Sequence, residues 1–324
     1  MRNKQILLLV FGLMLVIIIF INSRPEEKPT NIDYQEIFQK KYSVFSLPIP
    51  DSLSFAGEPV PIELFDVRES LDRELLVNTY WQSQTVLFIK RANRYFPEIE
   101  KILAENNIPD DFKYLVLAES DLQNAVSPSG AVGMWQLLEG TAKDFGLEVN
   151  KEVDERYHLK KATGVACKYL QKAHDLFGNW TMAAASYNMG RNGLVKQVNR
   201  QKQNNYYDLL LNEETARYIY RVLAIKLIIE NPSNYGFHVR PEDMYFAVPT
   251  YEVKIDTAVT DFADFAEKFD INYKILKYFN PWLRDSFLTN KSGKTYYISI
   301  PADGYRKHSN HFNYINEDTL STTY

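Results

Sequence analysis

The chain has 324 residues, 45% of them hydrophobic and 24% charged, enough to bury a substantial core in about two domains. Its 37 Lys and Arg are outnumbered by 41 Asp and Glu, giving a formal net charge of -4 that argues against a nucleic-acid partner. A single cysteine excludes an intramolecular disulfide, and the five histidines show no metal-ligand spacing, so neither a metal nor a cofactor is expected.

In chain order, Arg2 and Lys4 precede an unbroken apolar run from Ile6 to Ile21, basic then hydrophobic as an export segment requires. The run is a little short for a ~30 Å hydrocarbon core, yet longer than the roughly 7 to 15 apolar residues of a cleaved signal. No small-x-small site follows it in Phe20-Ile21-Asn22-Ser23-Arg24. Residues 1–22 therefore read as a membrane anchor, with a cleaved signal as the alternative, and everything after Asn22 is expected outside the cytoplasm. Pro25, Pro29, Pro48, Pro50, Pro59 and Pro61 make 23–68 a spacer or loosely packed arm.

From Glu69 to Leu103 apolar residues recur at helical spacing (Leu75, Leu76, Tyr80; Val86, Phe88, Ile89; Ile99, Ile102, Leu103). Asn107-Ile108-Pro109-Asp110-Asp111 has the composition of a helix start. The next helix runs through Tyr114-Leu115-Val116-Leu117-Ala118 to Glu119. An apolar setting disfavours the charged carboxylate and raises its pKa, which suits Glu119 to general acid catalysis. Asp121, Asp154 and Glu155 are weaker candidates for a second carboxylate. Asp121, two residues on, faces elsewhere, and the other two fit a helix start and an ion pair with Arg156.

After Glu119-Ser120 come Ser127-Pro128-Ser129-Gly130-Ala131-Val132-Gly133-Met134-Trp135-Gln136, then Thr141-Ala142, and far downstream Tyr187-Asn188-Met189-Gly190. In this order and spacing the motifs resemble the transglycosylase domain of soluble lytic transglycosylases and, more distantly, goose-type lysozymes. Asp154-Glu155-Arg156 and the stretch from Thr215 to Phe237 extend the resemblance. It implies a lysozyme-like all-helical domain over 69–240 that acts on peptidoglycan glycan strands in the bacterial envelope, on the periplasmic side. Glu119 would be the single catalytic acid and base, yielding a 1,6-anhydro product. The resemblance further implies that Tyr187 hydrogen-bonds Glu119, that Ser127 meets the acetamido or muramic group, and that Gln136 binds a sugar. Gly130, Ala131 and Gly133 would permit close backbone approach, or be ordinary turn residues, while Asn188 would build the substrate-facing wall with Gly190. Trp135 is either a stacking platform or, more in keeping with Met134 and Leu137 beside it, core. Cys167, within the apolar pattern ATGVACKYL, reads as a small buried hydrophobe.

From Tyr245 the texture changes to short alternating runs, Tyr251 to Ile255 and Thr295 to Ile300, around a helical centre from Asp261 to Phe279. This region, 241–303, resembles a degenerate lysin motif. It departs from the motif at Ala258-Val259-Thr260-Asp261-Phe262, which leaves glycan binding and a purely structural role both open. Residues 304–324 form a polar tail. The fold class is thus mainly α with a small α+β module, and a monomer is the default. Two other functions remain: a goose-lysozyme-like hydrolase using a second carboxylate, and a peptidoglycan-binding protein without turnover.

Overall fold

The computed structural model describes residues 43–304 together with Glu36, Gln39, Arg306 and Lys307. The chain divides into two compact units, residues 1–46 and 47–324, and the architecture below is that of the second. The expected anchor over 1–22 and nearly all of the tail lie outside the described residues. Among the described residues no helix is long and apolar enough to cross a membrane.

The second unit opens with a hairpin of β1 (Ser54–Phe55) and β2 (Glu58–Pro59). A loosely packed arm does not describe this part of the chain. Phe55, Val60 and Ile62 are buried in the main core, with Leu47, Ile49 and Leu53 packed against it. Polar groups fix the hairpin in place. Asp111 accepts the Ala56 N–H at 2.7 Å, Lys226 donates to Ser54 O at 3.0 Å, and the Glu58 carboxylate accepts the Thr181 N–H at 2.9 Å. The prolines stiffen a segment whose alternate side chains are apolar, which favours docking as well as it favours extension.

Helices α1 (Phe65–Tyr80) and α2 (Gln82–Glu105) follow, then a 3-10 turn at Asp110–Phe112 and α3 (Lys113–Ser120). Tyr114, Leu115, Val116 and Leu117 on α3 are all buried, and Asp121 ends the helix in the left-handed conformation at φ 58°. Glu119 therefore stands in the last turn, beside the loop that follows. After α4 (Glu139–Asp144) come α5 (Leu159–Phe177), α6 (Trp180–Met189), α7 (Arg191–Gln201) and α8 (Glu213–Glu230). Asn179 and Asn212 cap α6 and α8 by accepting the N–H three residues on, which satisfies donors that a helix start leaves open. The α8 helix, buried along most of its length, packs against α1 and α3 and is the central strut of the domain.

The C-terminal module has β3 (Thr250–Ile255), α9 (Phe262–Glu267), α10 (Tyr273–Phe279) and β4 (Tyr296–Pro301). The strands pair antiparallel, Thr250 opposite Pro301 through Ile255 opposite Tyr296. Buried Asn280 closes the module by donating to Ser299 O at 2.7 Å and accepting the Ser299 N–H at 2.8 Å. Its core is Ile255, Phe262, Leu276, Trp282, Leu283, Ile298 and Ile300, joined by Val153 from the helical domain. The architecture is mainly helical with a small α+β module, as the sequence suggests.

Candidate active site

A cleft of about 600 Å³ opens where the end of α3, the 127–138 loop, the end of α6 and the start of α8 converge. Glu119, Ser127, Ala131, Gln136, Tyr187 and Asn188, all singled out from the sequence, line it together. Gly130 and Gly133 do not line it. Gly130, at φ +80°, has open space where a side chain would stand, so it serves the turn in which its N–H donates to Ser127 O. At Gly133 a Cβ would lie 2.1 Å from the carbonyl oxygen of Arg156, so the close approach made there is to protein and not to a sugar.

Glu119 faces the cleft from surroundings dense in protein. Burial raises its carboxyl to about 7, against the Tyr218 hydroxyl, which lowers it; Glu214 adds to the rise and Arg221 subtracts from it. The Tyr218 Oη donates to Glu119 Oε1 at 2.5 Å. The resemblance assigned this bond to Tyr187, and the reason it lies elsewhere is visible in the packing. The Tyr187 hydroxyl donates to Trp135 O at 2.7 Å, and its ring lies edge-on to those of Trp135 and Tyr169, which turns the hydroxyl onto the loop. Tyr218 is the residue that sequence reasoning missed. It lay inside the stretch from Thr215 to Phe237, which served only to extend the resemblance, yet Glu214, Tyr218 and Arg221 recur at helical spacing and all three reach the cleft.

The remaining positions divide between cleft and scaffold. The Ser127 hydroxyl accepts the Ala131 N–H at 3.0 Å and contacts Ser129 Oγ at the same distance. Gln136 spends its amide nitrogen on Gly133 O at 2.7 Å and Ala125 O at 3.1 Å while lining the cleft. Asn188 Oδ1 accepts from the Thr215 hydroxyl at 2.8 Å and so ties α6 to α8. Trp135 is fully buried and donates to Thr163 Oγ1 at 2.8 Å, which makes it core. Cys167 is buried too, and its thiol is pushed up to about 12, which keeps it an inert thiol.

Of the acids weighed as a second carboxylate, none lines the cleft. Asp154 pairs with Arg156 at 2.7 Å, and Glu155, held below the ordinary carboxylate range, pairs with Lys161 at 2.5 Å and accepts the Glu148 N–H at 2.8 Å. The other carboxylate in the cleft lining is Glu214, exposed and 3.3 Å from Arg221 Nη1. Among the described residues no group of His, Cys, Asp and Glu converges as a metal site would.

Comparison with known proteins adds the lineage. Residues 97–210 match the transglycosylase SLT domain, and residues 251–304 match the soluble lytic transglycosylase C-terminal LysM-like domain. Membrane-bound lytic murein transglycosylase D of Escherichia coli (strain K12) is 26% identical over 263 residues, 78% of this chain and 56% of that protein. The protein of the same name in strain O6:H1 gives the same values. The chain thus spans a little over half the length of these curated relatives. An inactive mutant of lytic transglycosylase Slt from Pseudomonas aeruginosa shows partial likeness, with TM-score 0.36, 20% identity, and 47% of this chain and 26% of that one covered. The helical domain is thus a transglycosylase SLT domain and the C-terminal module a LysM-like domain of the soluble lytic transglycosylase type, in a chain homologous to membrane-bound lytic murein transglycosylase D.

Proposed function

We propose that the chain is a peptidoglycan lytic transglycosylase, cleaving the β-1,4 bond from N-acetylmuramic acid to N-acetylglucosamine and leaving a 1,6-anhydro end. The observation that carries this reading is Glu119, a carboxyl raised to about 7 in the cleft and held by a tyrosine hydroxyl. In its protonated form Glu119 donates to the glycosidic oxygen as the C1–O bond breaks, and the bonding electrons leave with that oxygen. The muramic 2-acetamido oxygen stabilises the cationic C1. Glu119, now a carboxylate, takes the proton of the muramic 6-hydroxyl as that oxygen bonds to C1 and the acetamido group withdraws. No water is consumed, and Glu119 ends protonated as it began. Tyr218, by donating to Glu119, favours the carboxylate that the second half requires. Ser127, Ala131 and Gln136 on the loop, with Tyr187 and Asn188 opposite, form the sugar-binding walls.

In this reading the protein works on the periplasmic face of the envelope as a monomer, held there by residues 1–22. The presence of Glu214 in the cleft favours one second reading, a hydrolase in which Glu214 activates water. Mass spectrometry of sacculi digested with the protein separates the two. Muropeptides ending in 1,6-anhydro-N-acetylmuramic acid, absent with Glu119→Gln, support the transglycosylase. Water-added reducing ends overturn it in favour of the hydrolase, and an absence of products leaves a binding protein.

A further inference from the structure

The LysM-like module and the cleft hold the same short segment from opposite sides. Residues 148–156 fold back on themselves, with Val149 bridged to Asp154. On the module side, Val153 is fully buried in the module's core and not in that of its own domain. The backbones pair as well: the Asp154 N–H donates to Trp282 O at 2.9 Å, and the Arg284 N–H donates to Glu152 O at 2.7 Å. The Glu152 carboxylate accepts the Thr289 N–H at 2.7 Å and its hydroxyl at 3.0 Å. Glu148 pairs with Lys294 at 2.6 Å and accepts the Tyr296 hydroxyl at 3.0 Å.

On the cleft side, buried Arg156 pairs with Asp154 and donates to Gly130 O at 3.3 Å and Leu137 O at 3.4 Å, gripping the loop near both ends. The Arg156 carbonyl fills the space that Gly133 leaves open. A buried guanidinium with these partners resists displacement, because moving it strands Asp154 and two carbonyls without partners. A domain built to swing freely has a core of its own and few contacts across the seam. This module takes a core residue from the catalytic domain.

We infer that the LysM-like module is a buttress of the cleft, setting the position of the 127–137 loop through Val153 and the Asp154–Arg156 pair. Val153 and Arg156 are then positioning residues for the sugar-binding wall, whatever the module itself binds. The kinetic consequence rests on the transglycosylase reading, whereas the mechanical link does not.

The test uses the full chain and two readouts. Hydrogen exchange is followed in residues 282–290 and 125–138 for the wild type, Val153→Ala, Val153→Ile and Glu152→Ala. Activity is measured on soluble glycan strands. Val153→Ala should speed exchange in both segments by about tenfold or more, since cavities of this kind cost more than one decade of stability. It should also raise KM about fivefold or more through a displaced wall, while helix content is kept; Val153→Ile should restore both. Partial unfolding would instead lower kcat at unchanged KM. Glu152→Ala, at the rim, should give the same two-segment pattern in weaker form if Val153→Ala does not fold. Faster exchange in 282–290 with 125–138 unmoved would overturn the inference, as would a loosened loop with unchanged KM. A wild type that is inactive on glycan would sink the transglycosylase reading and leave the exchange comparison to decide the buttress.

Discussion

Glu119→Gln should make the protein more stable, and the gain should grow with pH. The carboxyl titrates near 4.5 in the unfolded chain and at about 7 in the cleft. Its folded pKa is raised, so the native state holds the proton more tightly than the unfolded state does. Its contribution to stability is full below the unfolded value and is lost as pH climbs through the interval up to about 7. At about 1.4 kcal/mol per pH unit, the full penalty on the native state is about 3 kcal/mol by pH 8, against under about 1 kcal/mol at pH 5. Glutamine removes the charge yet keeps an oxygen that can accept from the Tyr218 hydroxyl, so the hydrogen bond survives the substitution. Urea unfolding of wild type and variant at pH 5 and pH 8 should therefore show a midpoint advantage for the variant that widens at the higher pH. Equal midpoints at pH 8, or a gain of the same size at both pH values, would refute the claim that burial holds this carboxyl up. The assay needs no substrate and is independent of the reaction proposed.

Four further outcomes are expected. With the wild type, kcat/KM on glycan strands should fall above about pH 7 as Glu119 loses its proton. Tyr218→Phe removes a hydrogen bond to a carboxylate worth about 1.5 to 3 kcal/mol, so it should move that alkaline limb up by about one to two pH units and slow turnover, whereas an unmoved limb would detach Tyr218 from the acid. Gly133→Ala would place a methyl 2.1 Å from Arg156 O at a positive φ; a loss of about 3 kcal/mol in chemical denaturation is expected, and a near-neutral result would mean that the loop does not rest on Arg156. Glu214→Gln should leave anhydro products in mass spectra and lower the pKa of Glu119, since a like charge is removed. Loss of all product with this variant would restore a two-carboxylate mechanism.

The catalytic helix and its loop were legible because their chemistry is local. A carboxylate after five apolar residues, followed by Gly130 and Gly133 in a short span, is readable without knowing the partner elements. The module was legible from its alternating runs and the helical centre between them. Tyr187 was misplaced because its neighbours name the element but not the rotation of a phenol. The hydroxyl's partner was decided by Trp135 and Tyr169, whose rings fix it from the 127–138 loop and from α5. The packing of residues 47–62 was hidden by the prolines, since the polar groups that dock the hairpin, Asp111 and Lys226, come from distant parts of the chain. Val153 could not be assigned to the module's core from sequence, because nothing local marks a side chain that packs into another domain.

Tyr218 lies 99 residues beyond the carboxylate it serves. A growing polypeptide thus emerges with its acid, loop and most of its helices before the donor of that hydrogen bond exists. The helix that brings Tyr218 also closes the core against α1 and α3, so the last major helix of the domain completes the fold and the proton-handling pair in one event. Any nascent or truncated product that stops short of α8 leaves Glu119 without its phenol, so synthesis through α8 becomes a built-in condition for the Glu119–Tyr218 pair.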